Sequence, residues 1–349
     1  MSQVRFGFIG AGAIAVTSAT SVNKHKQACV VAIQDLNCDR ATQLAKDLNI
    51  PRVYATADEL FADPGIDAVY IAVPNKFHVE LTIKALNAGK HVILEKPFAM
   101  NYQEALQAVE TARKAGKVLT LGMNQRFVDS VQRTKALVEQ GALGEIYHAK
   151  AFWFRRTGIP RLGTWFGNRA LAGGGCLNDI GVHVLDACLH LLGKFEPVSV
   201  YGATYSKFGP RGLGEGGWGK SDREGLPFDV DDFATGLIRF ADGSTLSLDV
   251  SWAAHMHEAS RYDIELYGTE GGARAFSNTF YKPSPEGYSV VQSPAVEIRY
   301  RHTDRFHNFI NHLLGTEELC VTPEQAANVQ RILDALNESA ATGREVRFA

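Results

Sequence analysis

The stretch Val4-Arg5-Phe6-Gly7-Phe8-Ile9-Gly10-Ala11-Gly12-Ala13-Ile14-Ala15 decides the fold of the first third of this chain. Its first six residues form a short, apolar, β-branched run that reads as a strand buried on both faces. Gly10-x-Gly12-x-x-Ala15 follows at once and opens a helix, the G-x-G-x-x-A form of a dinucleotide fingerprint. Gly10 permits the tight turn, Gly12 lets a pyrophosphate approach the backbone, and Ala15 is small enough for the helix to pack on the sheet. The free N–H groups at Ala13 and Ile14, with the helix dipole, then hold the phosphates.

Asp35 stands 20 residues after Ala15, at the end of the next apolar run, residues 29–33. A carboxylate there accepts hydrogen bonds from ribose hydroxyls and repels a 2′-phosphate, so NAD is favoured over NADP. Arg40, in the helix that follows, is the counter-signal. Further strands are read at 68–73, 91–94 and 118–121, alternating with helices near 75–88 and 102–115. That alternation indicates a parallel sheet with crossover helices. Ligands of such sheets bind at the carboxyl ends of strands. Val73, Pro74 and Asn75, with His78 just beyond, are therefore cofactor candidates. Glu95 and Lys96, followed by Pro97, close another strand and face the same crevice. An ammonium at Lys96 suits stabilisation of an alkoxide or proton transfer.

From about residue 145 the texture changes. Strands at 146–154, 198–204, 233–240, 244–252 and 262–267 follow one another, and Asp242-Gly243 marks a hairpin. This half reads as α+β with an antiparallel sheet, preceded by a linking helix at 131–140 and closed by helices at 305–314 and 323–340. The expected division is 1–123 and 124–349. Residues 206–227 form a long Gly-rich loop, for which a substrate cover, a subunit contact and a tolerated insertion all fit.

Residues 178–192 read as a largely buried helix with Asp179, His183, Asp186 and His190 at spacings of 4, 3 and 4. At about 100° per residue these four share a narrow stripe. Buried carboxylates and imidazoles need partners, or they line a polar cavity. Asp179 and His183 suit base catalysis, with the carboxylate setting the imidazole tautomer. His190 reads better as a satisfied core histidine. Gly173-Gly174-Gly175 just upstream allows close approach of a ligand. Arg155, Arg156, Arg161 and Arg169 form a basic cluster, which suits an acidic sugar group, the cofactor phosphates, or an ion-pair network between domains or subunits.

Composition sets the outer bounds. The chain has 349 residues, 45% hydrophobic and 21% charged, which is ordinary for a globular protein of two domains. A net charge of −2 without a basic block gives no reason to expect a nucleic-acid partner. No apolar run is long enough to span a bilayer, and the N-terminus lacks the parts of a signal peptide. Cys29, Cys38, Cys176, Cys188 and Cys320 are odd in number and form no C-x-x-C pair, so they read as reduced thiols of a soluble cytoplasmic protein. No metal site is expected.

Taken together, these motifs resemble the Gfo/Idh/MocA family (glucose–fructose oxidoreductase, inositol dehydrogenase, rhizopine catabolism). The matching elements are Gly10-x-Gly12-x-x-Ala15, Pro74-Asn75, Glu95-Lys96-Pro97, Asn124-x-Arg126, and Gly173-Gly174-Gly175 followed by Asp179-x-Gly181-x-His183-x-x-Asp186. The resemblance implies an N-terminal Rossmann domain and a C-terminal α+β domain with an open, mainly antiparallel sheet that mediates homodimers or homotetramers. It implies Lys96, Asp179 and His183 as the catalytic set. It adds Asn124 and Trp165 to the cofactor contacts, and Arg126, with Arg155 and Arg156, to the substrate contacts. One departure is Trp165-Phe166 where many relatives carry Trp-Arg: either Arg169 replaces that charge or the substrate differs.

The function expected is NAD-dependent, reversible oxidation of a ring secondary hydroxyl in a sugar, glycoside or cyclitol. The alternative is a redox-neutral glycoside hydrolase that oxidises, eliminates and returns the hydride. A non-catalytic NAD-binding subunit is disfavoured by the joint presence of Lys96, Asp179 and His183.

Overall fold

The computed structural model describes residues 3–217, 225–292, 294–300 and 304–348. The fingerprint strand β1 (Val4–Ile9) is joined by β2 (Ala28–Gln34), β3 (Arg52–Tyr54), β4 (Ala68–Ile71), β5 (His91–Leu94) and β6 (Leu119–Leu121). They pair in the order β3-β2-β1-β4-β5-β6, all parallel. The strand order reverses beside β1, which makes the carboxyl ends of β1 and β4 the switch point where such sheets take dinucleotides. β3 and the helix Ala57–Ala62 are additions to the sequence reading. Three residues of half-exposed strand show no period, whereas the helix is fixed by a reciprocal capping box between Thr56 and Glu59.

The first compact unit holds the chain up to Gly122 together with Asp304–Gln330. The expected assignment of everything after residue 123 to a second domain is corrected for that segment. Its helix Arg305–Leu313 drives Phe306, Phe309 and Ile310 into the core that contains Phe6, Phe8, Ala15 and Tyr70. Phe309 meets Phe6 edge-on at 6.1 Å, and Phe306 meets Tyr70 at 5.1 Å. An amphipathic pattern shows that a helix is packed, but not on which sheet.

In the second unit, nine strands among the described residues form one sheet. They are β7 (Ile146–Arg155), β8 (Ser199–Tyr205), β9 (Phe233–Arg239), β10 (Thr245–Ser251), β11 (Ser260–Gly268), β12 (Gly272–Arg274), β13 (Thr279–Ser284), β14 (Gly287–Gln292) and β15 (Val346–Arg347). The order is β14-β13-β12-β11-β7-β10-β9-β8-β15, with only the central β7–β10 pair parallel. One cross-strand row runs Val200, Ile238, Leu246, Ala149, Leu266, Ala273, and every member is buried. The adjacent row on the opposite face runs Tyr201, Leu237, Ser247, Lys150, Glu265, Arg274. The sheet thus has one core face and one open face, as strict alternation requires. Strands β12 to β15 were not foreseen, because they are short and rich in polar and turn residues.

Phe309 is fully buried in the first unit's core. Phe309→Ala should cost about 3–5 kcal/mol of stability, read as a lowered urea midpoint. A surface role for the 304–330 segment would leave the midpoint within about 0.5 kcal/mol of wild type.

Candidate active site

The Gly-rich turn is built around two glycines with different constraints. Gly10 has φ +101°, and a Cβ there would lie 2.2 Å from the carbonyl oxygen of Ala72. Gly12 is the N-cap of the helix Ala13–Lys24, and a Cβ there would have nothing within 4 Å. No side chain caps this helix and its first turn holds no acidic residue. Ala13 and Ile14 are exposed. The open cradle with unclaimed N–H groups fits a pyrophosphate, and so fits NAD. Asp35 does more than face a ribose. One of its oxygens accepts from the Ala11 N–H at 2.7 Å and the other from the Asn37 N–H at 2.8 Å. Arg40 lies 3.5 Å from the same carboxylate. The counter-signal for NADP is therefore drawn onto Asp35.

Two residues expected to touch the cofactor turn inward instead. His78 is fully buried, with its ring nitrogens 2.8 Å from the Pro97 carbonyl and 2.9 Å from the Val73 carbonyl. Burial holds this imidazole below its usual pKa. The expected cofactor contact is corrected to a clamp between the loops after β4 and β5. The Glu95 carboxylate accepts from the Tyr70 hydroxyl at 2.5 Å and pairs with Arg305, with Ser18 donating to Tyr70 at 3.0 Å. Glu95 is 8% exposed. It therefore ties the β5 loop to the 304–330 segment rather than to a ligand. What these buried groups leave at the carboxyl ends of the strands is Val73, Pro74 and the half-buried Lys96, joined to Pro97 by a cis peptide. Asn75 is buried in a short turn directly after Pro74.

In the second unit, Asp231 organises the segment before Asp179. Its side chain accepts from the N–H groups of Gly175 at 2.7 Å and Leu177 at 2.8 Å, and its carbonyl accepts from Cys176 N–H at 3.0 Å. A Cβ on Gly175 would lie 1.8 Å from that carbonyl. The glycines do permit a close approach, but the partner at Gly175 is the chain itself, not a ligand. Burial, then the adjacent Asp231, push the Cys176 thiol well above its usual pKa. Residues 177–181 form a π-helical turn, and only from Val182 to Leu192 is the helix α. The expected regular helix is corrected there. Gly181 lets the turn press on β10, since a Cβ would fall 3.3 Å from Val250. Such π turns recur at functional sites.

That turn presents Asp179. The Trp252 indole N–H donates to Asp179 Oδ2 at 2.8 Å, and Trp252 is fully buried. Arg155, at the end of β7, has its guanidinium 4.9 Å from the Trp153 ring. Burial lowers the pKa of Arg155, and the Asp179 carboxylate works against that. His183 sits 6.3 Å from the same Trp153 ring, and Trp153 stacks on Tyr262 at 5.0 Å. A cavity of about 300 Å³ opens beside Arg155, lined also by Thr157, Gly158, Ala259 and Ser260. Asp179, His183 and Arg155 thus share one neighbourhood.

The remaining candidates are placed elsewhere. Arg126 is fully buried and grips Asp186 with two nitrogens, at 2.9 and 2.6 Å. The expected substrate contact is corrected to a buried bidentate pair, which also removes Asp186 from the catalytic stripe. Burial, then Arg126, depress the His190 pKa well below its usual value, so that ring is neutral. Exposed Arg156 donates to the His257 carbonyl at 3.0 Å. Arg169 donates its N–H to Asp229 at 2.6 Å. Asn124 is exposed at the start of a short helical turn, and Trp165 stacks on Phe166 at 3.9 Å. Asp232 receives the N–H groups of Lys207, Phe208 and Gly209 at 2.6–3.0 Å, which pins the start of the Gly-rich loop. Residues 218–224 of that loop lie outside the described residues. Sequence reasoning missed Trp252, Asp231 and Asp232. The one available signal was the Asp231-Asp232 pair abutting a strand, where adjacent carboxylates demand donors.

The two glycines should respond oppositely to alanine. Gly10→Ala should lose about 2 kcal/mol or more in urea denaturation. Gly12→Ala should keep its stability within about 1 kcal/mol but weaken NAD binding measured by calorimetry. For Arg126→Ala, an uncompensated Asp186 predicts about 3–5 kcal/mol of destabilisation. A substrate role would instead raise KM at unchanged stability.

These geometries have close parallels. Residues 4–123 match the model of an oxidoreductase family with an NAD-binding Rossmann fold, and residues 131–274 match the GFO/IDH/MocA C-terminal domain. The D-glucoside 3-dehydrogenase of Escherichia coli is 33% identical over 348 residues, covering 99% of this chain and 98% of that protein. The levoglucosan dehydrogenase of Pseudarthrobacter phenanthrenivorans is 29% identical over 345 residues, covering 88% and 87%. Among solved structures, an NAD-binding protein from Listeria innocua matches with a TM-score of 0.81 at 27% identity, over 99% of this chain and 97% of that one. With both domain models in sequence and a relative of this identity along its whole length, the chain belongs to the Gfo/Idh/MocA oxidoreductases and is an NAD-dependent enzyme.

Proposed function

We propose that the enzyme reversibly oxidises a ring secondary hydroxyl of a sugar, glycoside or cyclitol, with a glucoside as the first candidate. The observation that carries this reading is the polar neighbourhood of Asp179, held by Trp252, flanked by Arg155 and followed four residues later by His183. It brings a carboxylate, an imidazole and a cation into one neighbourhood. NAD, when bound, supplies the acceptor for the hydride of the carbinol carbon. His183 takes the hydroxyl proton on a ring nitrogen, and Asp179 sets the orientation and basicity of that ring. Lys96 stabilises the substrate oxygen as negative charge grows on it. The carbohydrate class is supported by relatives whose names denote action on glucosides and levoglucosan. Arg155 is our candidate for a substituent-binding residue, since it lines the cavity that opens beside it.

We also read the enzyme as a homo-oligomer paired through the open face of its large sheet. Tyr201, Tyr205, Leu237 and Tyr267 on that face are 41–53% exposed, more apolar surface than a solvated sheet face needs. We also read the enzyme as cytoplasmic, since its five cysteines are odd in number and form no C-x-x-C pair.

The test is one assay of purified protein with NAD against glucosides, free sugars, anhydrosugars and inositols, following NADH and released sugar together. Accumulating NADH is expected. Sugar released without net NADH would replace the dehydrogenase with a redox-neutral hydrolase. On the best substrate, Lys96→Ala and His183→Ala should each lower kcat about 100-fold or more with the NAD Kd unchanged. Turnover within about threefold of wild type in either variant would remove that residue from the mechanism.

A further inference from the structure

Trp252 follows the last residue of β10 and is fully buried. Its backbone N–H donates to the Asp232 carbonyl at 2.9 Å, and its ring meets Phe228 edge-on at 6.5 Å. The indole N–H is thereby held in place, and its acceptor is Asp179 Oδ2 at 2.8 Å. An indole N–H can only donate. It accepts no proton and offers no second role, so the atom it faces must be an acceptor. Around Asp179 stand Trp252 from the segment after β10 and Arg155 from β7, with His183 four residues further along the chain. Arg155 supplies charge; Trp252 supplies direction.

We propose that Trp252 is the positioning residue of this site: its indole pins Oδ2 of Asp179 as an acceptor and directs the carboxylate's proton exchange to Oδ1. This rests on the reading in which Asp179 and His183 carry that chemistry. A proton on Oδ2 would set donor against donor, so any proton the carboxylate takes goes to Oδ1, the oxygen the indole does not hold. The arrangement prepares Asp179 before any substrate arrives, because the indole cannot swing away to water.

The test is Trp252→Phe, which keeps an aromatic ring and removes the donor. We expect an NAD Kd within twofold of wild type and a kcat lowered about ten- to hundredfold. The acid limb of kcat/KM should move up by about one pH unit, as a carboxylate that has lost a donor stabilises more strongly the protonated form of the base it serves, His183. A lowered kcat with the acid limb unmoved would mean a merely structural role and would overturn the proposal. A second reading needs no Trp252 variant. The chain has four tryptophans, and in ¹⁵N-labelled protein one indole N–H resonance should shift in Asp179→Asn. If none shifts, the hydrogen bond is absent and the proposal falls, even should Trp252→Phe fail to fold. If Asp179→Asn turns over normally while the indole resonance moves, the bond stands and the catalytic role of Asp179 is what fails.

Discussion

The carboxylate of Asp231 is the constraint on which the catalytic half of this enzyme turns. Three successive backbone N–H groups, those of residues 175–177, end on Asp231 through its side chain or its carbonyl. The next residue, Asp232, receives three more from residues 207–209, and its carbonyl receives the N–H of Trp252. A buried carboxylate is costly without donors, and a buried loop N–H is costly without an acceptor. Bringing the two together satisfies both, and it fixes three chain segments against one dipeptide. The π turn that carries Asp179 starts directly from this knot, and the indole that orients Asp179 is held by it.

The nucleotide half uses the same device with different residues. Asp35 bonds the turn at Ala11 as well as closing β2. His78 joins the loops after β4 and β5, and Glu95 joins β5 to Tyr70 and Arg305. In each case a polar residue that looks available for a ligand is consumed in shaping the loop beside it. The N-terminal turn at Gly12, Ala13 and Ile14 is left facing outward. A crevice that must bind a polar cofactor stays open only if the loops around it have settled their own hydrogen bonds.

This explains which parts of the site were legible. The Gly10–Ala15 fingerprint carries its own conformational demands, and those could be read as residue types: Gly10 has φ +101° against a neighbouring carbonyl, and Gly12 borders open space. The spacing of Asp179 and His183 reads as one face of a regular helix, whereas the π turn that carries Asp179 leaves no mark in that spacing. Arg126 and Glu95 misled, because a charged residue in a family motif reads as a ligand contact until its ion-pair partner is known. Asp186 lies 60 positions from Arg126, and Arg305 lies 210 from Glu95. No local pattern links such pairs.

The sequence by itself determined the parallel sheet, the dinucleotide turn, the choice of NAD, the antiparallel character of the second half and the family. The sheets rest on short-range periodicity, the turn on Gly10 at φ +101°, the choice of NAD on the carboxylate at Asp35, and the family on the order of its motifs. Only the tertiary structure decided that residues 304–330 complete the nucleotide unit, that β7 and β10 pair in parallel, and that Trp252 rather than a neighbour in sequence holds Asp179. Those outcomes depend on which buried donor meets which buried acceptor across the fold. Hydrophobic patterning shows that a segment is buried but is silent about the partner it meets there.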